Sequence, residues 1–312
     1  MKNNTVVTVG DINYFWGIFL LIASMRKNGM DEPVLVGAYR FTPEAAAMLE
    51  QFGDVRVHCL DSTTHSLTCI KPAVMLLADT EYITWVDSDG FFTGNCSARL
   101  IPERPEEIHI RRRSRLENPQ AFRNYAFGED GRTIPAVILN AWRADVGERE
   151  TPRNLQSCSA CFLSVHKSAR PFLERWNEQM IKLLPPGNVG VVDRRLKFYH
   201  QLDESVLNSL LCFAGNAPET AKTYRLDKDV NELYVHFIGS PKPWRGWTPY
   251  SIRHFKCYTD VINYALAAGF IRPGDIPFPL NSAHGTLCRL AAPFVSLGTK
   301  IRNRLSRLSG GK

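Results

Sequence analysis

The stretch "ITWVDSDGFF" sets two carboxylates, Asp87 and Asp89, one residue apart at the end of an apolar run. A chain that turns there aims both at one point, and paired carboxylate oxygens suit divalent ions such as Mn2+ or Mg2+. Alone, an Asp-x-Asp pair is also what a solvated strand-end loop shows. A second stretch, "HFIGSPKPW" at 236–244, supplies what the first lacks. His236 offers a nitrogen ligand, Gly239 a backbone position that a bulky anion can approach, and Lys242 a positive charge for phosphate. Asp87, Asp89 and His236 form a set of two oxygen ligands and one nitrogen ligand. Such a set fits Mn2+, with Mg2+ as the alternative, and leaves coordination positions for diphosphate oxygens. An ion held there would act as a Lewis acid on a phosphate leaving group.

The elements that must position these residues follow a regular alternation. "TVVTVGD" reads as a first strand, and Tyr14 to Lys27 as an apolar helix closed by Asn28-Gly29. "EPVLVGAY" is a second strand. The helix "TPEAAAMLEQFG" follows, with Thr42 as N-cap, Pro43 at its first position and Gly53 past its end. "VRVHCL" is a third strand, "KPAVMLLADT" a helix, and "YITWVDSD" a fourth strand. This order predicts an α/β fold with a Rossmann-like, mostly parallel sheet flanked by helices. Ligands in such sheets sit at the carboxyl ends of strands, where "VGD" and "VDSD" both fall. Further on, "ACFLSVHK" and "YVHFIG" read as strands, and "ARPFLERWNEQMIKLL" and "DESVLNSLLCF" as helices. Residues 100–155, dense in charge and proline, read as an irregular connection that serves as a lid or acceptor region.

Composition limits the class. The chain has 312 residues, 44% hydrophobic and 22% charged, which is ordinary for a globular protein. The apolar run "YFWGIFLLIASM" covers 12 residues, too few to span a bilayer. No secretory leader is visible ahead of the first strand, so the expected location is cytoplasmic. The eight cysteines lack framework spacing and read as free thiols, with Cys158 and Cys161 as buried strand residues rather than a zinc or redox pair. Trp244 and Trp247 read as packing anchors, and "RRRSR" at 111–115 as a solvated face.

The "HFIGSPKPW" stretch matches the His-x-x-Gly-x-x-Lys-Pro-Trp signature of the retaining glycosyltransferases of family 8. These include glycogenin and bacterial lipopolysaccharide α-galactosyl- and α-glucosyltransferases. The chain resembles that family over residues 5 to 245, with "VDSD" in the place of its Asp-x-Asp motif. The resemblance implies a GT-A-type domain in which Asp87, Asp89 and His236 hold Mn2+ while Gly239 and Lys242 contact the donor's diphosphate. It further implies that Asp11, Asn13 and Tyr14 of "VGDINY" hold the nucleotide base, with Tyr14 stacked on uracil, and that Lys71 lies near the donor. "LDESVLN" matches the family's Asp-Gln-x-x-Leu-Asn segment through Asp203, Glu204, Leu207 and Asn208, which makes Asp203 and Glu204 the catalytic candidates.

Two positions depart from the family pattern. Glu204 stands where glutamine is usual beside the anomeric carbon. A glutamate there can either form a covalent glycosyl–enzyme or stabilise an oxocarbenium-like charge. In "SCSACFL", Cys158, Ser159 and Ala160 replace an Asn-Ala/Ser-Gly run that touches the sugar, so recognition of the donor's hydroxyls must differ.

After Asp275 there is no acidic residue, while Arg289, Lys300, Arg302, Arg304, Arg307 and Lys312 carry six of the charges behind the net +7. Leu290, Phe294, Leu297, Ile301, Leu305 and Leu308 recur at helical spacing opposite them, although Pro293 and Gly298 interrupt the first half. Such a helix suits an anionic membrane surface, or else docks on the protein's own core. Nucleic-acid binding is not expected, because the domain itself shows no basic–aromatic pattern.

The reading is a GT-A domain over 1–255 and a C-terminal extension over 256–312. Its activity would be transfer of a hexose, glucose or galactose, from a UDP-sugar to a glycan or glycolipid acceptor such as a lipopolysaccharide or capsule precursor. The partners are then the nucleotide-sugar, the acceptor and an anionic membrane on whose inner face the protein lies peripherally. The alternatives are a nucleotide-sugar-binding protein without turnover and a sugar-nucleotidyltransferase. The latter normally has a glycine-rich basic loop that "VTVGDINYFWG" does not supply.

Overall fold

The computed structural model describes residues 3–61, 65–113, 133–184, 186–187, 196–220, 233–237 and 239–309, with side chains to Gly298 apart from Ser296. Strand β1 (Asn4–Asp11) leads through a turn into α1 (Phe15–Lys27), then β2 (Val34–Tyr39), α2 (Pro43–Glu50) and β3 (Val55–Leu60). The expected cap on α2 is present: Thr42 accepts a hydrogen bond from Ala45 N at 3.2 Å, Pro43 opens the helix, and Gly53 follows with φ +69°. A short α3 (Lys71–Met75) precedes β4 (Tyr82–Val86). The "KPAVMLLADT" helix is thus only five residues long.

After β4 come β5 (Gly90–Phe92), α4 (Ser97–Leu100), β6 (Glu107–Arg112), α5 (Ala136–Val146), β7 (Cys158–His166) and α6 (Arg170–Leu183). Then follow α7 (Asp203–Phe213), β8 (Glu219–Thr220), β9 (Tyr234–His236), α8 (Phe255–Ala267) and α9 (Gly285–Ser309). The stretch 100–155 is therefore not irregular throughout. It holds β6 and α5, while 114–132 lie outside the described residues. The apolar positions Ile108 and Ile110 of β6 are buried against β7, a non-local pairing that the neighbouring charges conceal.

The main sheet runs β3-β2-β1-β4-β7-β6-β8, and only β7 is antiparallel to its neighbours. Strand side chains alternate between two cores. Val6, Val34, Val86 and Phe162 join one with α1 and α8, whereas Val7, Leu35, Trp85 and Leu163 join the other with α5, α6 and α7. Both faces are covered, which explains why β1, β2 and β4 are nearly continuous apolar runs. A separate antiparallel ribbon pairs β5 with β9.

Helix α9 reads through Pro293 without a break. Cys288 and Ala292 are buried on the domain, while Leu287, Leu290, Phe294 and Leu297 are each more than half exposed. The helix is docked and still presents an apolar stripe to solvent.

Candidate active site

The ribbon explains how motifs so far apart in sequence meet. Gly90 pairs with His236 across β5 and β9, and Phe237 N donates to Asp89 O at 3.0 Å. This sets the imidazole beside the acidic loop that leaves β4. His236 Nε2 lies 3.0 Å from Asp89 Oδ1 and 3.5 Å from Asp87 Oδ2. One donor atom from each of the three residues falls within 4.8 Å of the others, and no other such His/Cys/Asp/Glu group exists among the described residues.

The remaining carboxylate oxygens are held by the protein. Asp87 Oδ1 accepts from Lys71 Nζ at 2.9 Å and from Trp85 Nε1 at 2.8 Å, and Asp89 Oδ2 accepts from Lys242 Nζ. Each aspartate thus has one oxygen anchored and the other turned toward His236. That is how protein partners orient ligands around an ion. The donor set therefore fits a divalent cation. Burial works against the charge on Asp89, yet His236 and Lys242 hold its carboxyl well below the usual carboxylate range. Burial likewise disfavours a charged His236, but Asp89, with the Cys161 thiol, keeps its pKa well above the ordinary histidine value.

Behind Asp87 lies a second tier. Lys71 has only 6% of its side chain exposed and also reaches Asp203 Oδ2 at 2.9 Å and Ala160 O at 3.0 Å. Asp203 opens α7. Burial raises its pKa to about 6, against the opposing pull of Lys71. The residue before it, Leu202, is buried with φ +49°, a strained conformation that fixes how the helix start faces the sheet. Glu204 Oε2 accepts from Ala160 N at 3.1 Å. Asn208 clamps the strand start, donating to Cys158 O at 2.9 Å and accepting from Cys158 N at 2.7 Å.

The N-terminal segment is joined to the same turn. Asp11 accepts from Asn13 N at 3.0 Å and from Asn13 Nδ2 at 3.1 Å, and Asn13 O accepts from Trp244 Nε1 at 3.0 Å. Tyr14 meets the Trp244 ring edge-on at 5.7 Å. Gly239 has φ +97°, in the region that favours glycine, and open space where a side chain would stand. Ile238 lies outside the described residues. A cleft of about 330 Å³ opens beside Gly239 and is walled by Phe237, Pro241, Thr248 and Tyr250. The structure thus gathers Asp87, Asp89, His236, Lys242, Lys71, Asp203 and Glu204 into one connected group, with Asp11, Asn13 and Tyr14 beside it. Trp244 and Trp247 are 6% and 2% exposed, as packing anchors should be. Cys158 and Cys161 are buried in β7, and all eight cysteines are free.

Three contributors were not singled out from sequence. Gly17 in α1 has no room for a side chain, because a Cβ there would stand 2.2 Å from Ser88 O and 2.6 Å from the Trp244 ring. Its signal was the glycine inside an apolar helix. Tyr234 OH donates to Asp87 O at 3.2 Å and buttresses the loop. Arg113, read as part of a solvated run, instead pairs with Glu204, while Arg111 is buried and Arg112 donates to Thr220. Arg115 lies outside the described residues.

No family model and no curated protein matches the chain. Solved structures do. An apo structure of the bifunctional glycosyltransferase WbbM superposes with TM-score 0.52 at 14% identity, covering 79% of this chain and 47% of that one. The glycosyltransferase GlyE of Streptococcus pneumoniae TIGR4 gives 0.53 at 13% identity, over 88% of this chain and 65% of that one. The chain thus spans about half of WbbM and under two thirds of GlyE. At these identities the likeness is one of fold: a mostly parallel α/β sheet of the GT-A type, shared with glycosyltransferases.

Proposed function

We propose that the protein is a metal-dependent retaining glycosyltransferase that moves a hexose, glucose or galactose, from a UDP-sugar to a glycan acceptor. The observation that carries this reading is the Asp87–Asp89–His236 group, set at the carboxyl end of β4 in a GT-A-type sheet, with one oxygen of each aspartate already anchored. Asp87, Asp89 and His236 would hold Mn2+ or Mg2+, which when bound neutralises charge on the departing diphosphate. Lys242 stands 2.7 Å from Phe237 O on the same turn and adds a positive charge on the phosphate side. Gly239 lets the backbone approach the diphosphate, and Tyr14 offers its ring to the uracil. At the start of α7, Glu204 would stand beside the sugar and Asp203, buried against Lys71, would back it, while the leaving phosphate would take the proton of the acceptor hydroxyl.

The acceptor we propose is membrane-associated, a lipopolysaccharide or capsule precursor, reached from the inner membrane face. No helix among the described residues is long and apolar enough to cross a membrane. The stripe of Leu287, Leu290, Phe294 and Leu297 continues in sequence into an arginine- and lysine-rich segment without acidic residues. That charge complements an anionic bilayer surface. Leu290→Asp with Phe294→Asp in the full chain is expected to abolish sedimentation with anionic vesicles and to leave UDP release unchanged. Unaltered sedimentation would sink the membrane assignment.

The test of the activity is nucleotide release from a panel of UDP-, GDP- and TDP-sugars, with and without Mn2+. Metal-dependent release of UDP from one donor, lost in His236→Ala, is expected. A protein that binds no nucleotide even with metal present would overturn the site.

A further inference from the structure

Strand β7 does not pair evenly with β6. Ile110 faces Leu163, but the next residue, Arg111, faces Ser159, so Ala160, Cys161 and Phe162 bulge from the β6 side of the ladder. The bulge releases the backbone groups of Ala160 from that side. Its carbonyl accepts from Lys71 Nζ at 3.0 Å, and its N–H donates to Glu204 Oε2 at 3.1 Å. The same irregularity advances the end of β6, and Arg113, tied by its N–H to Ser157 O at 2.9 Å, reaches Glu204. Arg113 Nε and Nη2 donate to Glu204 Oε1 at 3.1 and 2.6 Å, and each side chain is only 12% exposed. Both carboxylate oxygens of Glu204 are therefore occupied, and its charge is matched.

We infer that Arg113 is a positioning residue for the transfer reaction: it locks Glu204 as a charge-compensated hydrogen-bond acceptor, not as a free nucleophile. This rests on the proposed function, which sets Glu204 beside the sugar. An attacking carboxylate must present an oxygen lone pair along the bond that breaks. Glu204 Oε1 is turned into the guanidinium fork, and Oε2 into the Ala160 N–H. Releasing Oε1 would strand a partly buried arginine without its counter-charge, and releasing Oε2 would leave the Ala160 N–H without its acceptor. A fixed acceptor with no net charge is what the pair presents. Arg113 thereby extends the site to the residue that follows β6.

Because Arg113 acts through Glu204, the two should behave as one unit. The test is a double-substitution cycle on UDP release from the native protein's preferred UDP-sugar, with kcat and KM measured separately. Arg113→Met is expected to lower kcat about 10- to 100-fold with donor KM nearly unchanged, the scale of a misplaced reacting group. Glu204→Gln alone, which leaves Arg113 uncompensated, is expected to fall by a similar factor. Arg113→Met with Glu204→Gln, neutral on both sides, is expected to recover to within severalfold of native kcat, because the amide oxygen can still accept from Ala160 N–H. A pair that is merely structural would show its coupling in thermal stability alone, with no recovery of kcat, and that result would overturn the inference. So would Arg113→Met with native kcat, or a glycosyl adduct on Glu204 seen by mass spectrometry of the native protein. A native chain that releases nucleotide from no UDP-sugar would overturn the proposed function and this inference together.

Discussion

Lys71→Met is expected to cost the fold about 3–5 kcal/mol, the scale for breaking a buried ion cluster by removing one partner. Lys71 Nζ stands 2.9 Å from both Asp87 and Asp203, and 6% of the lysine side chain and 5% of that of Asp203 are exposed. Methionine preserves the volume but leaves two carboxylates facing each other without an ammonium. Urea denaturation at neutral pH measures the loss. The deficit should shrink as the pH is lowered from 7 toward 5. The sign follows from Asp203, whose folded pKa of about 6 already lies above its ordinary value of 3.8 and rises further without Lys71. Its ionised form is the destabilising one, and falling pH removes it. The Lys71→Met, Asp203→Asn pair should regain part of the stability. A loss independent of pH, and unchanged by Asp203→Asn, would show that packing rather than charge accounts for it.

Asp89→Asn is the substitution with the largest expected effect on activity. Asp89 presents Oδ1 to His236 and gives Oδ2 to Lys242, so an amide removes a metal ligand and the counter-charge of two cationic groups at once. Metal affinity, followed by Mn2+ binding in the absence of donor, should fall by at least about 100-fold. Metal-dependent UDP release should fall with it. Asp87→Asn should be milder in metal affinity but harsher in stability, because Asp87 faces Lys71 behind the site. If Asp89→Asn bound Mn2+ like the native protein, the ion would have to sit elsewhere.

The alternation of strands and helices up to residue 60 was legible because each element carries its own local signal. Thr42, Pro43 and Gly53 bound α2, and continuous apolar runs mark strands buried on both faces. The grouping of Asp87, Asp89 and His236 was legible too, since Asp-x-Asp and the His–Gly–Lys spacing are compact in sequence. What escaped was decided by tertiary contacts. Nothing in "EIHIRRR" reveals that Arg111 is buried or that Arg113 meets a glutamate 91 residues away. The Gly17 constraint exists only because Ser88 and Trp244 crowd the same helix face. The bulge at Ala160–Phe162 is a property of two strands together, and neither strand's sequence announces it.

The ribbon of β5 and β9 has a consequence in time as well as in space. It joins Gly90 to His236, and Trp244 fastens onto Asn13 across a separation of 231 residues. Contacts that close so long a loop come late in folding, because their entropic cost must be met by structure already formed. During synthesis, an emerging chain displays its acidic loop well before the histidine that completes the site exists. Under the proposed function, a grip on the cation would therefore report on whole-domain maturity: a chain able to hold the ion has already joined Gly90 to His236 and Asn13 to Trp244.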